Sequence, residues 1–381
     1  MPTLHHPNAE KESEIAENLS SDLGQEPTRP RPGTWGCLAS WAQEITVYSR
    51  KVLPVSTLDV ERRVAPGVIE LNERPEWGSL DSICEIFCQY FPGVADGNFP
   101  PPSDYEQFRA QIAAARPDLA AYARRLSELV GSASAVSCVC VPDLGLIHHR
   151  LSIQRLAVYT MAVLMGEVTP TDNVRRNVVW DVAKKDVGKV AHPTFSEHDR
   201  EARYHTDSQY RLHPETHFCL YVSRAAACGG GASMLLDGET VREVLDQTPQ
   251  GREAVAALTH PVPFRVPSLF TSQGYQGEAE YIHAPVFSDQ IPWRWRYDTL
   301  KSGIEETAVV SAEVVDKQAV LWAAEYLDQS IRHAPGQLIA PMADDTLVLV
   351  NNHRALHGRT AFADARRHVL RVRFDLGPSR L

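Results

Sequence analysis

The chain has 381 residues, enough for one large domain or two ordinary ones, and its 43% hydrophobic and 23% charged residues match a soluble globular protein. A formal net charge of −10 without a lysine- or arginine-rich run argues against a nucleic-acid binder. No apolar run reaches the roughly 18 residues of a membrane span, and seven cysteines with no CxxC pair and no secretory signal point to a reducing, cytoplasmic setting.

Residues 1–34 contain six acidic side chains, three basic ones and five prolines, too little apolar surface to offset ordering entropy. They read as a disordered acidic tail, and the His5–His6 pair within it as part of that tail. Residues 35–381 read as a single domain. Ser103–Asp104–Tyr105–Glu106 has the form of a capping box that opens a helix toward Ala115. Pro117 suits the first turn of a second helix that runs to Gly131. Cys138 and Cys140 read as small apolar residues of a strand. Residues 148–165 (HHRLSIQRLAVYTMAVLM) repeat apolar groups at helical spacing and stop at Gly166. From about residue 176 the texture changes to short β-type runs: "NVVWDV", "THFCLYVSR", "ASMLLDG", "TLVLVNN" and "RHVLRVRFDL", separated by Gly, Pro and Asp clusters. "DGETVREVLDQ" (237–247) reads as a helix inserted between strands. The pattern predicts an α+β, mainly β chain: helical support over about 103–166, and a strand-rich sandwich or barrel over about 135–377 with an inserted segment at about 237–330.

The chemistry-bearing stretch is "YHTDSQY" (204–210). Residues i and i+2 of a strand project from the same face roughly 6.6 Å apart, so His205 and Asp207 can converge on one ion while Thr206 turns away. The bland alternative is two polar residues sharing a strand face. A third ligand must come from elsewhere, and two imidazoles with one carboxylate leave open coordination positions. His213 and His217 lie in "LHPETH", where Pro214 and the following strand disfavour a helical pair. His353 and His357 follow "TLVLV" in "NNHRALHGRTAF", placed to line a pocket, and they are rivals for the third position. In the last run, Arg367, Val369, Arg371 and Arg373 alternate with mostly apolar residues. This basic stripe either faces water or turns inward to hold a carboxylate bidentately.

Together these motifs resemble the iron(II)/2-oxoglutarate-dependent oxygenases, in the group that holds taurine dioxygenase, γ-butyrobetaine hydroxylase and clavaminate synthase. The resemblance spans about 176–377 and rests on His205-Thr206-Asp207, on "NNHRALHGRTAF" and on an R-x-x-x-R pair that begins ten residues beyond His357. It implies a double-stranded β-helix (jelly-roll) barrel with flanking helices. By the same resemblance, His205, Asp207 and His357 would bind Fe(II), and Arg367 would grip the distal carboxylate of 2-oxoglutarate. Gly230–Gly231–Ala232–Ser233 matches the family's Gly-Gly-x-Thr/Ser segment, so Ser233 would hydrogen-bond the same cosubstrate. Arg371 would lie near cofactor or substrate. The implied reaction consumes O₂ and 2-oxoglutarate, releases succinate and CO₂, and by default hydroxylates a small-molecule substrate; desaturation, cyclisation and epimerisation are variants. "IPWRWRYDTL" (291–300) alternates Trp293 and Trp295 with Arg294 and Arg296; it is either an amphipathic strand with its tryptophans in the core or a segment near the pocket, with Arg296 on substrate. A zinc hydrolase built on the same His/Asp/His set, and a non-catalytic metal-binding barrel, are the alternatives from other classes.

Overall fold

A computed structural model describes residues 60–94, 96–131, 134–171, 176–184, 197–271, 279–307 and 316–377. The acidic stretch 1–34, with His5 and His6, lies outside the described residues. In chain order, strands β1 (Glu61–Ala65) and β2 (Val68–Leu71) precede helices α1 (Asp81–Tyr90), α2 (Tyr105–Ala115) and α3 (Pro117–Val130). Strand β3 (Cys138–Val141), helix α4 (Leu151–Met165) and strands β4 (Gly166–Val168), β5 (Trp180–Ala183), β6 (Ala202–His205), β7 (His217–Arg224) and β8 (Ser233–Asp237) follow. Between β8 and the closing strands come α5 (Gly238–Asp246), α6 (Pro249–Leu258), β9 (Val262–Arg265), β10 (Tyr281–Ala284), α7 (Tyr297–Glu306) and α8 (Lys317–His333). Strands β11 (Leu338–Ala340), β12 (Leu347–Asn351), β13 (Ala355–Arg359) and β14 (His368–Leu376) complete the chain.

Most element boundaries follow local chemistry. Helix α3 begins at Pro117, where the missing N–H costs nothing. The cap of α2 is Asp104, one residue later than the capping-box reading places it: its carboxylate accepts the Gln107 N–H at 3.0 Å. Helix α4 stops at Gly166, where the chain runs so close to β14 that a Cβ would sit 2.1 Å from the Asp375 carbonyl oxygen. Of "NVVWDV" only Trp180 onward is strand, and "PWRWRYD" forms no strand: Arg296 makes one isolated bridge before α7 begins at Tyr297.

An eight-stranded sheet runs β1-β2-β3-β12-β7-β14-β4, with β5 also on β14; a four-stranded sheet runs β11-β8-β13-β6, and β9 pairs with β10. No closed barrel is traced among the described residues; the two larger sheets are separate hydrogen-bonded units. They face each other, because the apolar cluster of Phe218, Val348 and Val350 from the large sheet also contains Leu235 and Ala355 from the small one. Period-two alternation sends the intervening residues Cys219, Tyr221, Leu347 and Leu349 outward onto α1–α4. On the outer side of the small sheet, Met234, Leu236 and Leu356 pack against the α5–α8 segment together with Trp293 and Trp295. Helices therefore cover both outer faces, and whatever projects between the sheets is withdrawn from bulk water. In β14, Leu370, Val372 and Phe374 take the helical side. That leaves Arg371 and Arg373 facing inward.

Candidate functional site

Strand β6 ends at His205, so Asp207 does not share a strand face with it, contrary to the H-x-D reading. The carboxylate belongs to a turn in which Ser208 adopts a left-handed φ of 56°. Separate contacts hold that turn. Thr206 N–H donates to the Trp295 carbonyl at 2.8 Å, and Trp295 N–H donates back to Thr206 Oγ1 at 3.0 Å. Arg373 donates to Ser208 Oγ and, at 2.7 Å, to the Thr171 carbonyl. Arg294 lends its guanidinium to the carbonyls of Gln209, Arg211 and Leu212. The tryptophans of "PWRWRYD" are core, as the bland reading has it, but Arg294 is buried as well, at 3% exposure.

The fold brings His205, Asp207 and His357 together. One candidate ligand atom from each lies within 4.8 Å of the others, and all three residues are buried. Strand pairing sets His357 directly opposite His205, their rings 4.1 Å apart, and both Nε2 atoms lie 3.8–3.9 Å from Asp207 Oδ1. His205 Nδ1–H donates to the Arg203 carbonyl at 2.8 Å, which leaves the Nε2 lone pair for an ion. Phe218 packs against the His357 ring at 4.5 Å. The rival His353 turns away, with its Nε2 donating to the Pro214 carbonyl at 3.0 Å.

The charge states suit a metal. Burial is the main cause that pushes both imidazoles down, with His357 and Arg296 adding to it at His205, and Arg371 and Arg296 at His357. Against the opposing pull of Asp207, His357 falls to about 4 and His205 well below its ordinary value, so both are neutral at pH 7. Burial alone would raise the Asp207 carboxyl, but Arg371, His357 and Arg373 outweigh it and hold that group well below the usual carboxylate range. Two neutral imidazoles and one ionised carboxylate form the donor set that suits non-haem Fe(II).

The arginine stripe is not a solvated face. Arg367 is 7% exposed and Arg373 3%. Arg371 donates through Nη1 to both Asp207 carboxylate oxygens, at 2.9 and 3.1 Å. Arg296 forms an isolated β-bridge with His205, near enough to Asp207 for their charges to interact. Arg367 stands apart. Its guanidinium lies 5.1 Å from the Phe362 ring, whose centre is 4.6 Å from Arg359, and its Nη1 is buried without a partner. Burial and the neighbouring Arg359 push Arg367 down to about 10, so it is still charged at neutral pH. Gly231, at φ 72°, makes room for this side chain: a Cβ there would sit 3.0 Å from Arg367 Cδ and Nε. Ser233 opens β8 opposite Arg359, two residues before Leu235, and therefore faces the space between the sheets. A buried guanidinium with an unpartnered Nη1 suits the distal carboxylate of 2-oxoglutarate, and Ser233 offers a half-buried hydroxyl.

Sequence reasoning missed Asn352, which is 1% exposed. Its Oδ1 accepts the Asp207 N–H at 2.7 Å, and its Nδ2 donates to the Asp207 carbonyl at 3.1 Å and to that of Glu215 at 2.8 Å. The available signal was two consecutive asparagines closing the apolar run "TLVLV". Arg294 and the Arg359–Phe362 pair left no comparable mark.

Among solved structures, the chain is similar to an asparagine oxygenase in complex with Fe(II), (2S,3S)-3-hydroxyasparagine and succinate: 17% identity, TM-score 0.51, covering 81% of this chain and 93% of that one. It is similar also to the non-haem iron oxygenase OrfP with Fe, succinate and (3S)-hydroxy-L-Arg, at 14% identity and TM-score 0.52 over 81% of this chain and 94% of that one. OrfP with Fe and α-ketoglutaric acid gives 13% identity and TM-score 0.51 over 77% and 90%. At such identities the likeness is one of fold. No curated protein sequence matches the chain. Residues 139–373 match the family model "Taurine catabolism dioxygenase TauD, TfdA family". The chain therefore belongs to the TauD/TfdA family and is a non-haem dioxygenase that depends on Fe(II) and 2-oxoglutarate.

Proposed function

We propose that this enzyme hydroxylates an unactivated C–H bond of a small, polar, acid-bearing molecule, of which a free amino acid is the first candidate. The observation that carries the reading is the buried His205, Asp207 and His357 group, with ligand atoms within 4.8 Å of one another between two sheets. In this reading these three residues hold Fe(II), and Arg367 and Ser233 hold 2-oxoglutarate. The bound iron and cosubstrate supply the oxidising chemistry, with succinate and CO₂ as co-products. The chain's own residues bind, orient and exclude water. Arg367 fixes the distal carboxylate of the cosubstrate. Facing sheets clad in helices keep solvent from the reacting C–H bond.

Charge supports an acidic substrate. Iron, Asp207 and the two carboxylates of 2-oxoglutarate together leave one net negative charge, which Arg367 balances. Arg371 adds positive charge beyond that balance, on the Asp207 side of the site, where Arg296 also lies within electrostatic reach of Asp207 and Asp298. We assign Arg371 to an anionic group of the substrate, moving off Asp207 once iron claims that carboxylate, and place Arg296 beside it. The hydroxyasparagine and hydroxy-L-Arg bound in the asparagine oxygenase and OrfP structures support an amino acid as the first candidate. We further read the two facing sheets as the sides of a jelly roll, residues 35–381 as one catalytic domain, and the chain as cytoplasmic; none of the described helices is long and apolar enough to cross a membrane.

The test is a screen of amino acids, amines and small carboxylic acids for substrate-dependent succinate release with Fe(II), 2-oxoglutarate and O₂. Product mass then separates hydroxylation from desaturation, cyclisation and epimerisation. Acidic compounds should give the highest turnover, and Arg371→Ala should raise the KM for the substrate more than that for 2-oxoglutarate. Turnover confined to cationic amines would sink the substrate class.

A further inference from the structure

Asp207 is the one member of the candidate triad that lies on no strand. His205 and His357 are held by the β6–β13 ladder, but the acid sits two residues past the end of β6, just before the left-handed Ser208. Its backbone must be fixed by something other than sheet pairing. Asn352 does this. It follows β12 in the turn that leads to β13, five residues before His357. Its side-chain amide meets both polar groups of the Asp207 backbone, accepting from N–H at 2.7 Å and donating to C=O at 3.1 Å. Its second amide hydrogen goes to the Glu215 carbonyl at 2.8 Å, and its own N–H donates to the Thr216 carbonyl at 2.8 Å. All four bonds thus go to residues 207–216, and their pattern permits only one orientation of the amide.

We propose that Asn352 is a positioning residue for the metal site: it ties the backbone of the acidic ligand to the β12–β13 turn that leads to the third ligand, and so sets the approach of Asp207 to the ion. The proposal rests on the reading of His205, Asp207 and His357 as ligands. A carboxylate reaches its ion through two side-chain torsions, so a backbone free to rotate at Asp207 would spread the carboxylate over many positions. A clamp on both N–H and C=O removes that freedom before the ion arrives. Loss of a partner that orients a metal ligand typically weakens metal affinity by about 10–100-fold.

Asn351 supplies a matched control. It is the neighbouring residue, at the end of β12, and is buried at 8% exposure, yet its side chain hydrogen-bonds Val130 and His353 and none of residues 207–216. The probe is Co(II) alone, titrated into wild-type, N352A, N352D, N351A and H357A protein and followed by visible d–d absorption, with thermal melts of each ligand-free chain. N352A should weaken Co(II) binding by about 10–100-fold and shift the d–d bands. N352D retains the acceptor for the Asp207 N–H but sets a carboxylate against two carbonyls, so it should be impaired at least as much. N351A should bind Co(II) within about twofold of wild type, even where its melting temperature falls as far as that of N352A. H357A should lose Co(II) binding; if it binds as wild type does, the ligand reading fails and the positioning role fails with it. If H357A loses the metal but N352A keeps wild-type affinity and spectrum, the positioning role alone is overturned. Equal weakening in N351A overturns it too, as does failure of both Asn352 variants to fold where N351A folds.

Discussion

Replacing Arg367 should separate stability from binding, because this guanidinium is charged, 7% exposed and lacks an ion-pair partner among the described residues. Its neighbours are the Phe362 ring at 5.1 Å, the space left by Gly231, and Arg359, which repels it. A unit charge opposite a carboxylate at ~4 Å gains about 4 kcal/mol at an effective dielectric of ~20. That lies within the roughly 2–5 kcal/mol typical of truncating one partner of a buried charge pair. At ~1.4 kcal/mol per decade, Arg367→Ala should raise the Kd for 2-oxoglutarate about a thousandfold. Arg367→Lys should recover only part of it, since an ammonium cannot match the planar fork. In the ligand-free chain the sign reverses: Arg367→Met removes a buried charge and should leave the melting temperature unchanged or higher. Calorimetric titration of 2-oxoglutarate into the Co(II)-loaded variants, beside melts of the same proteins without ligand, reads both quantities. An unchanged Kd would refute the assignment of Arg367 to the cosubstrate. A large drop in melting temperature for Arg367→Met would refute the claim that its charge is unpaired.

Two further outcomes follow from the same geometry. His357→Ala should abolish turnover and His353→Ala should not, because the His353 imidazole is spent on the Pro214 carbonyl at 3.0 Å; the reverse result in a succinate assay would reassign the third ligand. His217 is buried, with Nε2–H on the Val130 carbonyl, and burial pushes it down to about 4 from an ordinary value near 6.5. Between those values the unfolded chain binds the extra proton, so this contribution is complete above about pH 6.5 and is lost as pH falls toward 4, by ~3 kcal/mol in all. Denaturant melts across that range should show a shallower pH dependence for His217→Gln; an unchanged slope would mean that His217 is not the group responsible.

Local sequence was enough to mark the candidate metal-binding residues but not to arrange them. The residue types and order of His205, Asp207 and His357 were legible, as were α3, the end of α4 and the main runs of β7, β12 and β14, because helical spacing, Pro117, Gly166 and period-two alternation are properties of neighbours in the chain. What lies opposite a residue is not such a property. Alternation gave β14 two faces but could not say which was wet; the helices covering Leu370, Val372 and Phe374 on one side, and the small sheet on the other, buried both. His353 is drawn aside by the Pro214 carbonyl, 139 residues away, and the Asp207 backbone is held by Asn352, at a separation of 145. Sequence supplied donors of the right kind. Long-range hydrogen bonds and the stacking of two sheets decided where each of them points, since those contacts form only once distant segments are brought together.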